Sequence, residues 1–215
     1  ANSDLALYYP FEETTGSVVF NQTNSSTQNH GTVIHGTMEN NSNSNGVIGN
    51  CIELNANQMI AMNDILDPLD QSTTISIWFN LNEIPNNRRL IFDSGSRGRL
   101  TLSGVSIAIE GNKIKFFAQH EGKDNTGADR YGNVNWQTNR WYHAVLVIDR
   151  NSQKLYGYLD GNEVGNSEYR QTLKSDGIIK GYPGIKGRIS TGVGAQCKGK
   201  LWEETKDQIM GKIDE

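Results

Sequence analysis

The chain has 215 residues, enough for one β sandwich or barrel, and no linker divides it. Its 20 basic and 24 acidic side chains leave a net charge of −4, without the basic stripe that a nucleic-acid binder needs. No apolar run approaches the roughly 18 residues of a spanning helix, so membrane insertion is not expected either.

Hydrophobic residues make up only 35% of the chain, and glycine numbers 23. That balance suits short strands joined by polar turns. Leu5 to Phe11 reads as a first strand, with Pro10 fitting an edge position. Asn21 to Gly31 is a polar loop dense in side-chain oxygens, Thr32 to His35 a short strand, and Met38 to Asn45 a second Asn/Ser loop. Val47 to Asn55 and Gln58 to Met62 read as two strands, and Asn63 to Leu69 as a single helical turn. Thr73 to Leu81 is a strand with Ile75, Ile77 and Phe79 on one side and Trp78 on the other.

Leu90 to Asp93, Leu100 to Ile109 and Lys113 to His120 continue the strands, and Gly111-Asn112 joins the last two as a hairpin turn. Gly122 to Asn135 reads as a long Asp/Asn/Gly loop. In Trp141 to Val164, alternation puts Trp141, His143, Val145 and Val147 on one face and Tyr142, Ala144, Leu146 and Ile148 on the other. Both faces are apolar or aromatic, so this strand is expected in the middle of a sheet. Gly165 to Gly187 is irregular, and Arg188 to Ala195 and Gln208 to Glu215 supply the last strands. Strands at this spacing, with no long helix, predict an all-β fold: a two-sheet antiparallel β-sandwich.

Six segments, taken in order, carry a resemblance: Tyr9-Pro10-Phe11-Glu12, Gly49 to Leu54, Ser72 to Trp78, Trp141-Tyr142-His143, Leu155 to Gly161, and Gly211 to Glu215. With these the sequence resembles the LamG-like jelly-roll domains of the concanavalin A-like lectin and glucanase superfamily. The resemblance spans nearly the whole chain and implies a single domain over residues 1–215. The family's last strand runs on past the Asp-Glu, so a continuation beyond Glu215 and a larger multidomain chain are expected. Cys51 stands where the family has a small apolar residue.

The resemblance also implies a structural calcium ion where the loop after the first strand meets the last strand. The matching positions are Asn21, with Asn29 further along, and Asp214; Glu12 is a weaker candidate. Calcium takes six to eight oxygens from carboxylates, amides and carbonyls, and asparagine in place of aspartate lowers the ligand charge. The alternative is a polar loop pinned by Asx turns. A second oxygen-rich run, Asp124 to Asp129, imitates part of a calcium loop but lacks the closing Glu.

The two cysteines, Cys51 and Cys197, either are separate buried thiols or form a disulfide in an exported protein. Trp78 and Trp141 fall on the family's core positions and read as structural. Trp136 and Trp202 lie among polar residues, so together with Tyr131 and Arg130 they are expected to stack and hydrogen-bond a sugar ring. The other reading of these four is a cover over the rim of the core. Arg88-Arg89 and Arg97-Gly98-Arg99 could meet an acidic polysaccharide but are more often simply solvated.

None of His30, His35, His120 and His143 has metal-ligand spacing. No strand carries acids at i, i+2 and i+4, and Asp93, Glu110 and Asp160 stand isolated at strand ends. A glycoside hydrolase needs two carboxylates facing one cleft, so no catalytic residue and no enzyme activity are expected. The sequence therefore reads as a non-catalytic, lectin-like carbohydrate-binding module of a secreted or cell-surface protein. Its partner is then a polysaccharide or glycan. The alternative is a protein–protein adhesion or structural module that binds a surface protein, and a third, less favoured reading is a polysaccharide-active enzyme.

Overall fold

The computed structural model describes residues 5–23, 29–55, 58–62, 71–98, 101–119, 127–167, 191–193 and 211–214. Two antiparallel sheets face each other. The eight-stranded sheet contains β1 (Val18–Val19), β2 (Gly31–Ile34), β5 (Met59–Met62), β7 (Arg89–Gly98), β8 (Thr101–Glu110), β9 (Lys113–Gln119), β10 (Ala128–Asn133) and β14 (Thr191–Val193). Its spatial order is β1-β2-β5-β14-β7-β8-β9-β10. The seven-stranded sheet contains β3 (Ser42–Asn43), β4 (Cys51–Leu54), β6 (Thr73–Leu81), β11 (Trp141–Asp149), β12 (Lys154–Leu159), β13 (Asn162–Glu163) and β15 (Gly211–Asp214). Its order is β13-β12-β11-β6-β15-β4-β3. A single helical turn, α1 (Met38–Asn41), precedes β3.

β11 shows why these residues form strands. Its burial alternates along the whole element, with Tyr142, Ala144, Leu146 and Ile148 inward, and it lies between β12 and β6 as a central strand should. The same period sets Ile77, Phe79 and Leu81 of β6 and Ile107, Phe116 and Ile114 of the other sheet into one core. The sheets come into close contact at Gly157, where a Cβ would meet the Phe116 ring at 2.3 Å. The last strand, β15, is central, paired with β4 on one side and β6 on the other.

Several expected elements come out differently: the loop expected over Met38 to Asn45 begins as α1, and its Ser42–Asn43 pairs with β4. Leu5 to Phe11 forms no regular strand: the Tyr8 N–H goes to the Asn21 side chain, and Phe11 takes a φ of 54°. The strand expected from Val47 is only Cys51–Leu54, because the Val47 and Ile48 N–H groups turn to Asp214 and Gly49 takes a φ of 72°. Within the expected loop Gly122 to Asn135, Ala128–Asn133 pairs with β9 as a strand. The turn expected over Asn63 to Leu69 lies outside the described residues, as does most of Gly165 to Gly187. Among the described residues no helix is long and apolar enough to cross a membrane.

Candidate functional site

Because Phe116 faces the seven-stranded sheet, its neighbour Phe117 faces away from it. Register then sets Asp93, Ser106, Phe117 and Asp129 side by side across β7, β8, β9 and β10 on that outward face. Gln119 lies two residues along β9 from Phe117, and Lys115 two residues the other way, opposite Tyr131. An outward face normally exposes its polar side chains. Here Ser106, Asp93, Asp129 and Gln119 are only 2%, 4%, 5% and 8% exposed. Outward yet buried, they are recessed beneath the surface of that face, with Phe117, Lys115 and Tyr131 half-buried beside them.

Two contacts shape the β10 side of the recess. Ser167 donates its hydroxyl to Asp129 Oδ1 at 2.9 Å, and Tyr131 exchanges backbone bonds with Asn166. The Lys113 ammonium lies 4.4 Å from the Tyr131 ring centroid. This row gathers two carboxylates, a hydroxyl, an amide and two aromatic rings, with Asp129 already engaged by Ser167 and Lys115 by Glu110. Such groups accept and donate to hydroxyls while stacking on C–H faces.

The expected sugar-stacking set separates. Tyr131 belongs to the recess rim. Trp136 does not: it is 5% exposed, packs edge-on against Phe79 and Tyr142, and donates Nε1–H to the Gly111 carbonyl at 3.1 Å. Its faces are closed by the core, which corrects the stacking role. Arg130 is also buried: its partner across the ladder is Phe116 and its guanidinium donates to the Asp129 carbonyl, which corrects its place at a sugar site. Trp202 lies outside the described residues, as do Arg99 and Asp124 to Thr126. Arg88 and Arg89 are half-buried at the start of β7.

Trp78 and Trp141, expected in the core, stand on the outward face of the seven-stranded sheet and are half-buried. Two apolar faces on a central strand leave the inward one undetermined by pattern alone. Trp78 stacks on His143 with centroids 4.5 Å apart, and His143 Nε2 shares a 2.8 Å hydrogen bond with the Ser76 hydroxyl. His143 is therefore packed and satisfied.

Each residue of the expected calcium set has a structural role. Asn21 Oδ1 accepts the Tyr8 and Thr23 N–H groups at 2.9 and 3.2 Å. The Asn29 carbonyl accepts the Tyr9 hydroxyl, whose pKa burial pushes up to about 12. Asp214 Oδ2 accepts the Val47 and Ile48 N–H groups, while Glu12 holds the Asn50 N–H. Among the described residues no three His, Cys, Asp or Glu side chains gather as a metal cluster. Asn21 fits an ion least, since both lone-pair directions of its amide oxygen already receive N–H donors.

Cys51 is buried in β4, and burial, with the Asp214 charge next, pushes its thiol up to about 11. Cys197 lies outside the described residues.

The Laminin_G_3 model of the concanavalin A-like lectin/glucanases superfamily matches residues 54–189. Domain 4 of AbnA, an extracellular arabinanase of Geobacillus stearothermophilus solved with arabinotriose, is 16% identical at a TM-score of 0.58, covering 97% of this chain and 88% of that one. The botulinum neurotoxin serotype D ligand-binding domain, in complex with N-acetylneuraminic acid, is 14% identical at a TM-score of 0.60 over 96% of this chain and 47% of its own. Trypanosoma rangeli sialidase with sialic acid is 12% identical at 0.61, over 94% and 28%. The chain thus spans nearly all of the first, about half of the second and about a quarter of the third. No curated protein sequence matches. On the family match, and on two stacked antiparallel sheets, the chain belongs to the concanavalin A-like lectin/glucanases superfamily as a laminin-G domain.

Proposed function

We propose that this domain is a non-catalytic glycan-binding module of an exported or cell-surface protein, one part of a larger multidomain chain. Its binding site is the recess on the eight-stranded sheet. The observation that carries this reading is the row Asp93, Ser106, Phe117 and Asp129, turned away from the core and yet largely buried. Side chains that converge polar groups and rings in a recess suit a polyhydroxylated ligand. The neighbours solved with arabinotriose and with sialic acid support the ligand class.

The non-catalytic part rests on spacing. Asp93 and Asp129 lie three strand steps apart, about 14 Å at about 4.8 Å per step. Paired glycosidase carboxylates stand roughly 5–9.5 Å apart. The recess therefore supports holding a sugar and gives no support to cleaving one.

A glycan array that includes arabino-oligosaccharides and sialylated glycans tests the reading, followed by calorimetry on the hits. Tyr131→Ala and Lys115→Ala, both at the rim, should each weaken binding about tenfold. An array without hits, with a surface protein recovered instead, replaces this reading by the adhesion module.

Structural calcium at Asn21, Asn29 and Asp214 is a separate proposal. An ion there has to share or displace the backbone donors that these oxygens now serve. If it binds, calcium raises the melting temperature over that in EDTA; equal melting in both removes it and leaves these oxygens as loop pins.

A further inference from the structure

We propose that the outward face of the seven-stranded sheet holds a second saccharide subsite, built from Trp78, Asn80, Trp141 and the Ser76–His143 pair. It takes a neutral sugar ring. The inference rests on the glycan reading for the class of ligand, and on a different face of the molecule for its location.

Register places these residues together. Trp141 stands opposite Asn80, His143 opposite Trp78, and Val145 opposite Ser76, along the β11–β6 ladder. On the other side of β6, Asn80 faces Lys212 of β15. Asn80 is 5% exposed, and among the described residues its Oδ1 has no hydrogen-bond partner. A buried amide oxygen left without a donor is costly, and a sugar hydroxyl supplies the donor once the Asn80 side chain turns toward that face.

The surrounding groups suit a ring that brings that hydroxyl. Trp78 and Trp141 are half-buried, so each keeps part of its indole open for C–H contact. Trp141 is fixed in place by its Nε1–H bond to the Asn45 carbonyl at 3.2 Å, and Trp78 by its stack on His143. Little ordering is then left for the ligand to impose. The exposed Ser76 hydroxyl and the His143 imidazole, 2.8 Å apart, donate or accept according to the tautomer.

Neutrality follows from the nearby charges. Lys212 stands across the ladder from Glu53, and Asp214 Oδ2 is turned to the Val47 and Ile48 N–H groups. Lys212 and Glu53 offset each other and the Asp214 charge already serves two backbone donors, so these groups leave no cation over for an anionic ligand.

The test uses the whole chain labelled with 15N and a panel of neutral oligosaccharides of xylose, arabinose, glucose and galactose. Indole N–H resonances are assigned through Trp→Phe variants. A ligand on this face shifts the Trp78 and Trp141 indole signals and leaves Trp136, closed in the core, unmoved. Ser76→Ala, at an exposed strand position, should weaken those shifts at least fivefold in apparent affinity, whereas Tyr131→Ala should leave them unchanged. Shifts confined to β8, β9 and β10, with both outward indoles silent at saturation, overturn this subsite and leave the glycan reading standing. If no member of the panel moves any resonance and the array is also blank, both fall together.

Discussion

The Val47 N–H donates to Asp214 Oδ2 at 2.5 Å across 167 residues of sequence, and the Ile48 N–H reaches the same oxygen at 3.3 Å. Asp214 sits in β15, between β6 and β4, so the last strand clamps a loop that precedes β4. Glu12 holds the same loop at Asn50, and Trp141 holds it at Asn45.

Removing this clamp has a readable cost. Asp214→Ala leaves two backbone donors without their charged acceptor and should destabilise by about 2–3 kcal/mol, whereas Asp214→Asn keeps an oxygen and should cost about 1 kcal/mol. Urea denaturation measures both, and hydrogen exchange should show the Val47 amide losing protection in the alanine variant first. Equal stability of all three proteins would mean that the loop is held without Asp214.

Gly157 sets how closely the sheets approach. A Cβ there would meet three atoms of the Phe116 ring at 2.3, 2.7 and 2.8 Å, and Phe116 is fully buried. The ring has nowhere to go, so Gly157→Ala should overpack the core and cost about 1–3 kcal/mol. The double variant Gly157→Ala with Phe116→Leu should melt higher than Gly157→Ala alone if that contact is the cause.

The strands were legible where one face alternates cleanly, as in β6, β9, β11 and β12. Trp78 and Trp141 are expected in the core from the family's positions, whereas the period-two pattern of β6 already separates Trp78 from Ile75, Ile77 and Phe79. Trp136 was expected outside because its neighbours in VNWQTN are polar, but the Gly111 carbonyl and the rings of Phe79 and Tyr142 that enclose it come from other elements. The recess is non-local in the same way. Asp93 looks isolated in the sequence and Asp129 closes the oxygen-rich run Asp124 to Asp129, and the two share a row only through three ladders. The local signal is an acid interrupting the strand-like run IFDSG, whereas GADRY reads as part of a loop.

The Cys51 thiol gives a pH dependence of defined sign. Its pKa is raised by burial first, from 9.0 to about 11, so the folded state disfavours the thiolate. Below pH 9 both states keep the proton and the full stability is present. Between pH 9 and 11 the unfolded chain releases the proton while the folded one retains it, and roughly 2–3 kcal/mol of stability is lost as pH rises. Tyr9, raised by burial from 10.0 to about 12, adds a smaller loss in the next window because solvent reaches its half-buried ring. Denaturation at pH 8, 9 and 10 in the wild type and Cys51→Ala isolates the first term: the slope from pH 9 should flatten in the variant. A wild-type profile that is already flat, and steepens on reduction, assigns the disulfide with Cys197, since a disulfide has no proton to lose.

Trp136 and Tyr131 should now part in behaviour, although both were candidates for the same sugar site. Trp136→Ala removes a buried ring packed on Phe79 and Tyr142 and should cost about 3–5 kcal/mol of stability. Trp136→Phe keeps most of that packing, loses the bond to Gly111, and should bind glycan as the wild type does. Tyr131→Ala sits on the half-buried rim and should do the reverse, with melting nearly unchanged and affinity reduced about tenfold. Parallel melting curves and titrations of the three variants decide this. A folded Trp136→Phe with impaired binding would return that indole to the site and move the recess away from β10.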